Sequence, residues 1–124
     1  YMAELKRVVD SGYNALLSSC WYLNYIDYGQ DWIKFYQCDP RGAPLDRTKA
    51  HQVLGGEICM WTEFVDDTNV LSRTWPRATA AAERLWSPMD VNNTEEFLHR
   101  LEQHRCRLLA RGINAEPVNG PGYC

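Results

Sequence analysis

The chain has 124 residues, a formal net charge of −3 at pH 7, and 45% hydrophobic against 23% charged residues, which is enough for one small domain. No basic block invites nucleic acid, and no apolar run is long enough to span a membrane. It opens in a helical pattern on Tyr1 rather than Met, so it reads as a mature fragment without signal peptide, or a piece of a longer protein.

Residues 1–10 place Met2, Leu5 and Val9 on one helical face with charges opposite, and Ser11-Gly12 ends that helix. Tyr13 to Ser18 reads as a short strand, followed by the aromatic and polar cluster Cys20 to Tyr25. Helix, glycine turn, strand and residue-rich loop are the beat of an α/β protein. Tyr28 to Asp31 predicts a turn into a short helix, Trp32 to Tyr36. Residues 37–48, with Pro40, Gly42 and Pro44, predict a loop.

Thr48 to Leu54 leads into the stretch Gly55 to Phe64, whose apolar run suits a strand buried in a parallel sheet. Phe64 to Thr74 is polar and reads as a long βα loop. Pro76 suits a helix start, and Ala78 to Trp86 is alanine-rich, so the helix could lie close to a sheet until Pro88 stops it. Asn93 with Glu96 resembles a capping box for a last helix running to about Arg111, with Gly112 just past its end. Asn92-Asn93-Thr94 is also a glycosylation sequon, which fits a secretory route with the sugar on Asn92 pointing outward.

None of the five cysteines has the spacing of a zinc site or a CxxC redox motif. Cys59 lies in the apolar stretch and reads as a buried free thiol. Cys106 and Cys124 flank a Gly/Pro-bearing tail, so a disulfide there would tie the terminus to the last helix. It would stabilise by roughly 3 kcal/mol and imply an oxidising compartment.

In Trp61-x-Glu63, strand parity puts both side chains on one face. A pyranose packs its flat apolar face on an indole, and a carboxylate accepts bonds from its hydroxyls. The same pattern also fits a core Trp with a Glu in the following loop. Glu57 is expected to be paired internally, with Arg77 or Arg84 as partner. Asp66 and Asp67 read as a solvated loop, since nothing nearby completes a metal-binding set. His51, His99 and His104 are scattered and carry no catalytic role. Two parallel strands cannot close a sheet or bury both its faces. The chain therefore reads as part of a larger α/β structure, with a barrel as first expectation because both βα loops carry the chemistry-bearing residues.

Trp21-Tyr22-Leu23-Asn24, Tyr28-Gly29-x-Asp31-Trp32, Gly55-Gly56-Glu57-x-Cys59-x-Trp61-x-Glu63, and Trp75-Pro76-Arg77 followed by Ala82-Glu83-Arg84-Leu85-Trp86 together resemble β-N-acetylhexosaminidases of glycoside hydrolase family 20, of the animal lysosomal or secreted type. The resemblance covers essentially the whole chain. It implies the C-terminal part of a (β/α)8 TIM barrel, its last two strands with flanking helices, plus a C-terminal helix. Residues 1–124 would be a portion of that catalytic barrel and not a complete domain. It implies dimers, a lysosomal or extracellular location, no cofactor and no metal. The partners would be glycans or chitooligosaccharides ending in N-acetylhexosamine.

The family's substrate-assisted reaction departs from the usual two-carboxylate scheme. The substrate's own acetamido carbonyl attacks the anomeric carbon. An adjacent Asp-Glu pair supplies orientation and general acid–base chemistry. That dipeptide is absent from this sequence, so the chain alone should be inactive. By resemblance, Tyr22 holds the acetamido oxygen, Trp61 walls the pocket, Glu63 binds sugar hydroxyls, Asn24 lies near the 6-hydroxyl and Tyr28 reaches toward a partner subunit. Thr62 stands where relatives often have Gly, and Tyr25 where they vary between aliphatic and basic. Cys20 and Cys38 match no family position, leaving Cys38 open to a partner outside this sequence. The rival readings are a sugar-binding or an adhesion relative on the same barrel, which the upstream Asp-Glu pair would distinguish.

Overall fold

The computed structural model of the chain describes residues 1–27 and 29–124. Tyr28, expected at the sugar site, lies outside the described residues. Among the described residues two short strands and five α-helices follow one another as α1 (Met2–Asp10), β1 (Ala15–Leu17), α2 (Trp32–Gln37), β2 (Val53–Gly56), α3 (Val70–Thr74), α4 (Arg77–Trp86) and α5 (Thr94–Ala110). The chain is thus a small mixed α/β unit, as its pattern predicts.

The strands pair in parallel, with Ala15 opposite Val53, Leu16 opposite Gly55 and Leu17 opposite Gly56, across an irregularity between Ala15 and Leu16. β2 starts earlier and stops sooner than expected. After Gly56 the pairing continues only through Glu57 N to Leu17 O and an isolated bridge between Tyr22 and Cys59. Sequence pattern marks a residue as fit for a strand, but a ladder also needs a partner, and β1 offers only three residues. The glycines have separate causes. Gly55 sits at φ +145°, which L side chains rarely adopt. A Cβ on Gly56 would fall 2.2 Å from the Trp21 ring and 2.3 Å from the Leu17 carbonyl oxygen.

The core is aromatic. Trp21, Trp32, Phe35, Tyr36 and Phe97 are buried together with Leu23, Leu101 and Ala78, Ala80 and Ala81 of α4. Phe97 stacks on Tyr36 at 4.3 Å and meets Trp32 edge-on at 5.6 Å between ring centroids. Small residues do bring α4 close to a neighbour, but that neighbour is mainly α2. Part of the 64–74 loop folds into the short helix α3. The Asn93 side chain caps α5 through Glu95 N and Glu96 N. At the other end Ile113 N reaches Leu108 O and Gly112 N reaches Leu109 O, with Gly112 at φ +82°. Asn92, just before that cap, is exposed.

Two disulfides tie these pieces together. Cys106 on α5 is bonded to Cys124, with Cα atoms 5.6 Å apart. Cys38, expected to seek a partner elsewhere, is bonded to Cys20 with a Cα separation of 6.5 Å. Cys59 is free but only half-buried, short of the full burial expected. Burial and nearby Glu57 push its thiol pKa up, with a bond to Ser18 opposing, so it stays protonated near neutral pH.

Candidate active site

The site is built where the two loops beyond β1 and β2 meet again. After Leu17 the chain turns, with Trp21 N donating to Ser18 O. It then rejoins its neighbour, Cys59 N donating to Trp21 O at 3.0 Å and Leu23 N to Cys59 O at 2.8 Å. Trp21 and Leu23 go into the core, both 0% exposed, and the Trp21 indole donates to Phe35 O of α2 at 2.9 Å. Tyr22, between them, is left half-buried.

Four residues singled out in the sequence converge here. The Tyr22 ring lies 6.5 Å from that of Trp61, edge-on, and 5.9 Å from that of Tyr25. Asn24 Nδ2 donates to Glu63 Oε2 at 3.3 Å. Trp61 and Glu63 are not held by strand parity, because both lie past the last paired residue. They stand exposed in the loop, Trp61 at 55%. The resulting surface offers aromatic rings beside a carboxylate and an amide, a set suited to a pyranose. Asn24 is only 9% exposed, and its Oδ1 has no hydrogen-bond partner among the described residues. Such an acceptor costs free energy unless something donates to it. A cavity of about 230 Å³ reaches Tyr22 and Tyr25 from the α2 side.

Glu57 is exposed and makes no ion pair with either arginine, contrary to expectation. Each arginine has another carboxylate. Arg84, 2% exposed, pairs with Asp39 at 3.1 Å and lies over the Tyr36 ring. Arg77, also 2% exposed, pairs with Asp31 at 2.6 Å and with Glu116 at 3.4 Å. It also donates to the Leu23 carbonyl, between Tyr22 and Asn24. Sequence reasoning missed that grip, although Asp31 and Arg77 both stood in recognised motifs. A motif marks a residue as needed without showing what it touches.

Among the described residues no group of three or more His, Cys, Asp or Glu side chains is placed to hold a metal ion. Asp66 instead closes a local turn, accepting from Thr68 N and Oγ1, and those bonds lower its pKa. Burial, with Arg107 and Arg111, lowers the pKa of His104. No helix of the described residues is long and apolar enough to cross a membrane.

Comparison with known proteins bears on the same surface. The family model described as "Glycosyl hydrolase family 20, catalytic domain" matches residues 1–89. The whole chain is 49% identical to the β subunit of mouse β-hexosaminidase, covering 23% of that protein. It is 47% identical to the human β subunit, covering 22% of it. The solved structure of a Flavobacterium johnsoniae chitobiase matches 90% of the chain with a TM-score of 0.80 and 35% identity, over 17% of its own length. The chain thus spans under a quarter of the length of these relatives. The family match covers β1, β2, both loops that meet at Tyr22, and every helix except α5, so the chain belongs to glycosyl hydrolase family 20.

Proposed function

We propose that this chain is the sugar-pocket portion of an exo-acting β-N-acetylhexosaminidase, the C-terminal part of a (β/α)8 barrel with an added C-terminal helix. The observation that carries the reading is the meeting of Tyr22, Trp61, Asn24 and Glu63 at one surface. The substrates are terminal non-reducing N-acetylglucosamine or N-acetylgalactosamine residues.

In this reading the acetamido carbonyl oxygen of the substrate attacks the anomeric carbon, and the glycosidic oxygen leaves with a proton. The Tyr22 hydroxyl donates to that carbonyl oxygen and fixes its line of attack. Trp61 covers the apolar face of the ring, and Glu63 accepts from sugar hydroxyls. The proton comes from the Glu of an Asp-Glu pair outside these residues. The full-length protein works as a homo- or heterodimer. It is lysosomal or extracellular and bears a glycan on Asn92. The Cys20–Cys38 and Cys106–Cys124 bonds support an oxidising compartment.

The test uses the full-length protein and a matched pair of aryl β-glycosides, one with the 2-acetamido group and one with a 2-hydroxyl. Hydrolysis should require the acetamido group, and Tyr22→Phe should lower kcat about ten- to a hundredfold with a smaller change in KM. Equal turnover of the two glycosides would overturn the reading.

A further inference from the structure

We infer that Arg77 is a positioning residue for this site, acting through the backbone carbonyl of Leu23 to hold Tyr22 and Asn24 in place. The inference rests on the function proposed above and adds a residue that touches no substrate. Arg77 begins α4, more than fifty residues from the loop it grips. Its guanidinium divides its donors among separate segments. One nitrogen pairs with Asp31 at the N-cap of α2, another donates to Leu23 O, and Nε donates to Arg73 O at 2.9 Å. Glu116 approaches Nε at 3.4 Å from the C-terminal tail. The planar fork serves these acceptors at once from a place where it is 2% exposed.

Leu23 O is where this network touches the site. Leu23 N is already held by Cys59 O, so both faces of that residue's backbone are fixed. Tyr22 precedes it and Asn24 follows it. Rotation of either peptide would swing a ring or an amide across the surface shared with Trp61 and Glu63. Asp31 does not cap α2 with its side chain. Its carboxylate is spent on Arg77, at an ion-pair partner 3% exposed. A buried ion pair is a poor source of stability but a strict source of geometry, and here the geometry is that of the loop.

A double-mutant cycle in the full-length protein decides this. Arg77→Lys keeps one cation but cannot serve Asp31, Leu23 O and Arg73 O together. It should lower kcat at least tenfold. In a Tyr22→Phe background the same substitution should lower kcat less than threefold, because no hydroxyl remains to misplace. A parallel cycle with Asn24→Ala, read in KM, should show the same loss of effect. Effects that multiply in full in both cycles, or an Arg77→Lys enzyme of lower Tm but unchanged kcat, would overturn the inference. An unchanged kcat in Tyr22→Phe alone would instead overturn the reading of Tyr22, leaving the Asn24 cycle to decide Arg77. If Arg77→Lys does not fold, Arg77→Ala purified with guanidinium chloride should lose activity on dialysis and regain it when the cation returns. No recovery would count against the inference.

Discussion

Asn24 donates its side-chain amide to Glu63 at 3.3 Å, joining two loops 39 positions apart in the sequence. The bond leaves Glu63 as an anion at the rim, with exposed and uncharged Tyr25 nearby. A 6-sulfated sugar would bring a second negative charge there. Repulsion between charges about 4 Å apart runs from roughly 1 to 4 kcal/mol for dielectrics between bulk water and a protein surface. The full-length enzyme should therefore favour neutral over 6-sulfated glycosides in kcat/KM. Asn24→Asp should widen the gap, and Tyr25→Arg should narrow it with little change for the neutral substrate. Raising the salt concentration should shrink all three differences. Equal efficiency on both substrates in the unmodified enzyme would sink this prediction.

Glu63→Gln keeps the shape of the side chain and removes its charge. If Glu63 acts by accepting from sugar hydroxyls, KM should rise by about five- to fiftyfold, the loss of one or two charge-assisted hydrogen bonds. The kcat should change much less. Steady-state kinetics on a neutral N-acetylhexosaminide separates the two, and a fall confined to kcat would contradict the assignment.

Gly56→Ala should destabilise the protein by about 3 kcal/mol or more, because the new methyl meets the Leu17 carbonyl and the fully buried Trp21 ring, neither free to move. Gly42→Ala is the control, since nothing lies within 4 Å of its added Cβ. Denaturant midpoints of the two variants should differ clearly. Similar midpoints would mean the strand pair can spread to admit a methyl group.

Two carboxylates that face arginines should respond to pH in opposite directions. Burial pushes Asp39 upward, but its bonds and charge pairing with Arg41, helped by Arg84, outweigh that and leave its pKa below the usual 3.8. Its stabilisation is complete above the unfolded pKa and lost as pH falls through the folded value. Glu116 is raised above 4.5 by burial, aided by Asp31 and opposed by Arg77 and Arg73. Its contribution is complete below the unfolded pKa and lost as pH rises through the folded value. Thermal melts across pH should show Asp39→Asn costing less stability in acid than at neutral pH. Glu116→Gln should gain on the parent as pH rises through the range just above 4.5.

Much of this was legible in the sequence. The helix ends at Gly12 and Gly112, the Asn93 cap and the apolar face of α1 follow from local rules that act within a turn or two. The grouping of Tyr22, Asn24, Trp61 and Glu63 was implied by the family resemblance, yet the means was not. Trp61 and Glu63 were expected to share a strand face, and they instead stand in a loop past the ladder. The partners of Arg77 and Arg84 were not legible, because a buried ion pair is fixed by the distance between helices rather than by sequence spacing. Asp31 and Asp39 flank α2, and α4 packs against that helix, which brings both arginines to them.

The Cys20–Cys38 bond joins the residue two before Tyr22 to the C-cap of α2. It encloses Tyr22, Asn24 and α2 within one covalent ring. Formation of that ring depends on an oxidant, so the site has a maturation step that folding alone does not complete. Protein made in a reducing cytosol should emerge folded but with low specific activity, and thiol–disulfide exchange after purification should raise it. A Cys20→Ser/Cys38→Ser enzyme should show the low value from either source and gain nothing on oxidation. Activity would then report whether that ring had closed.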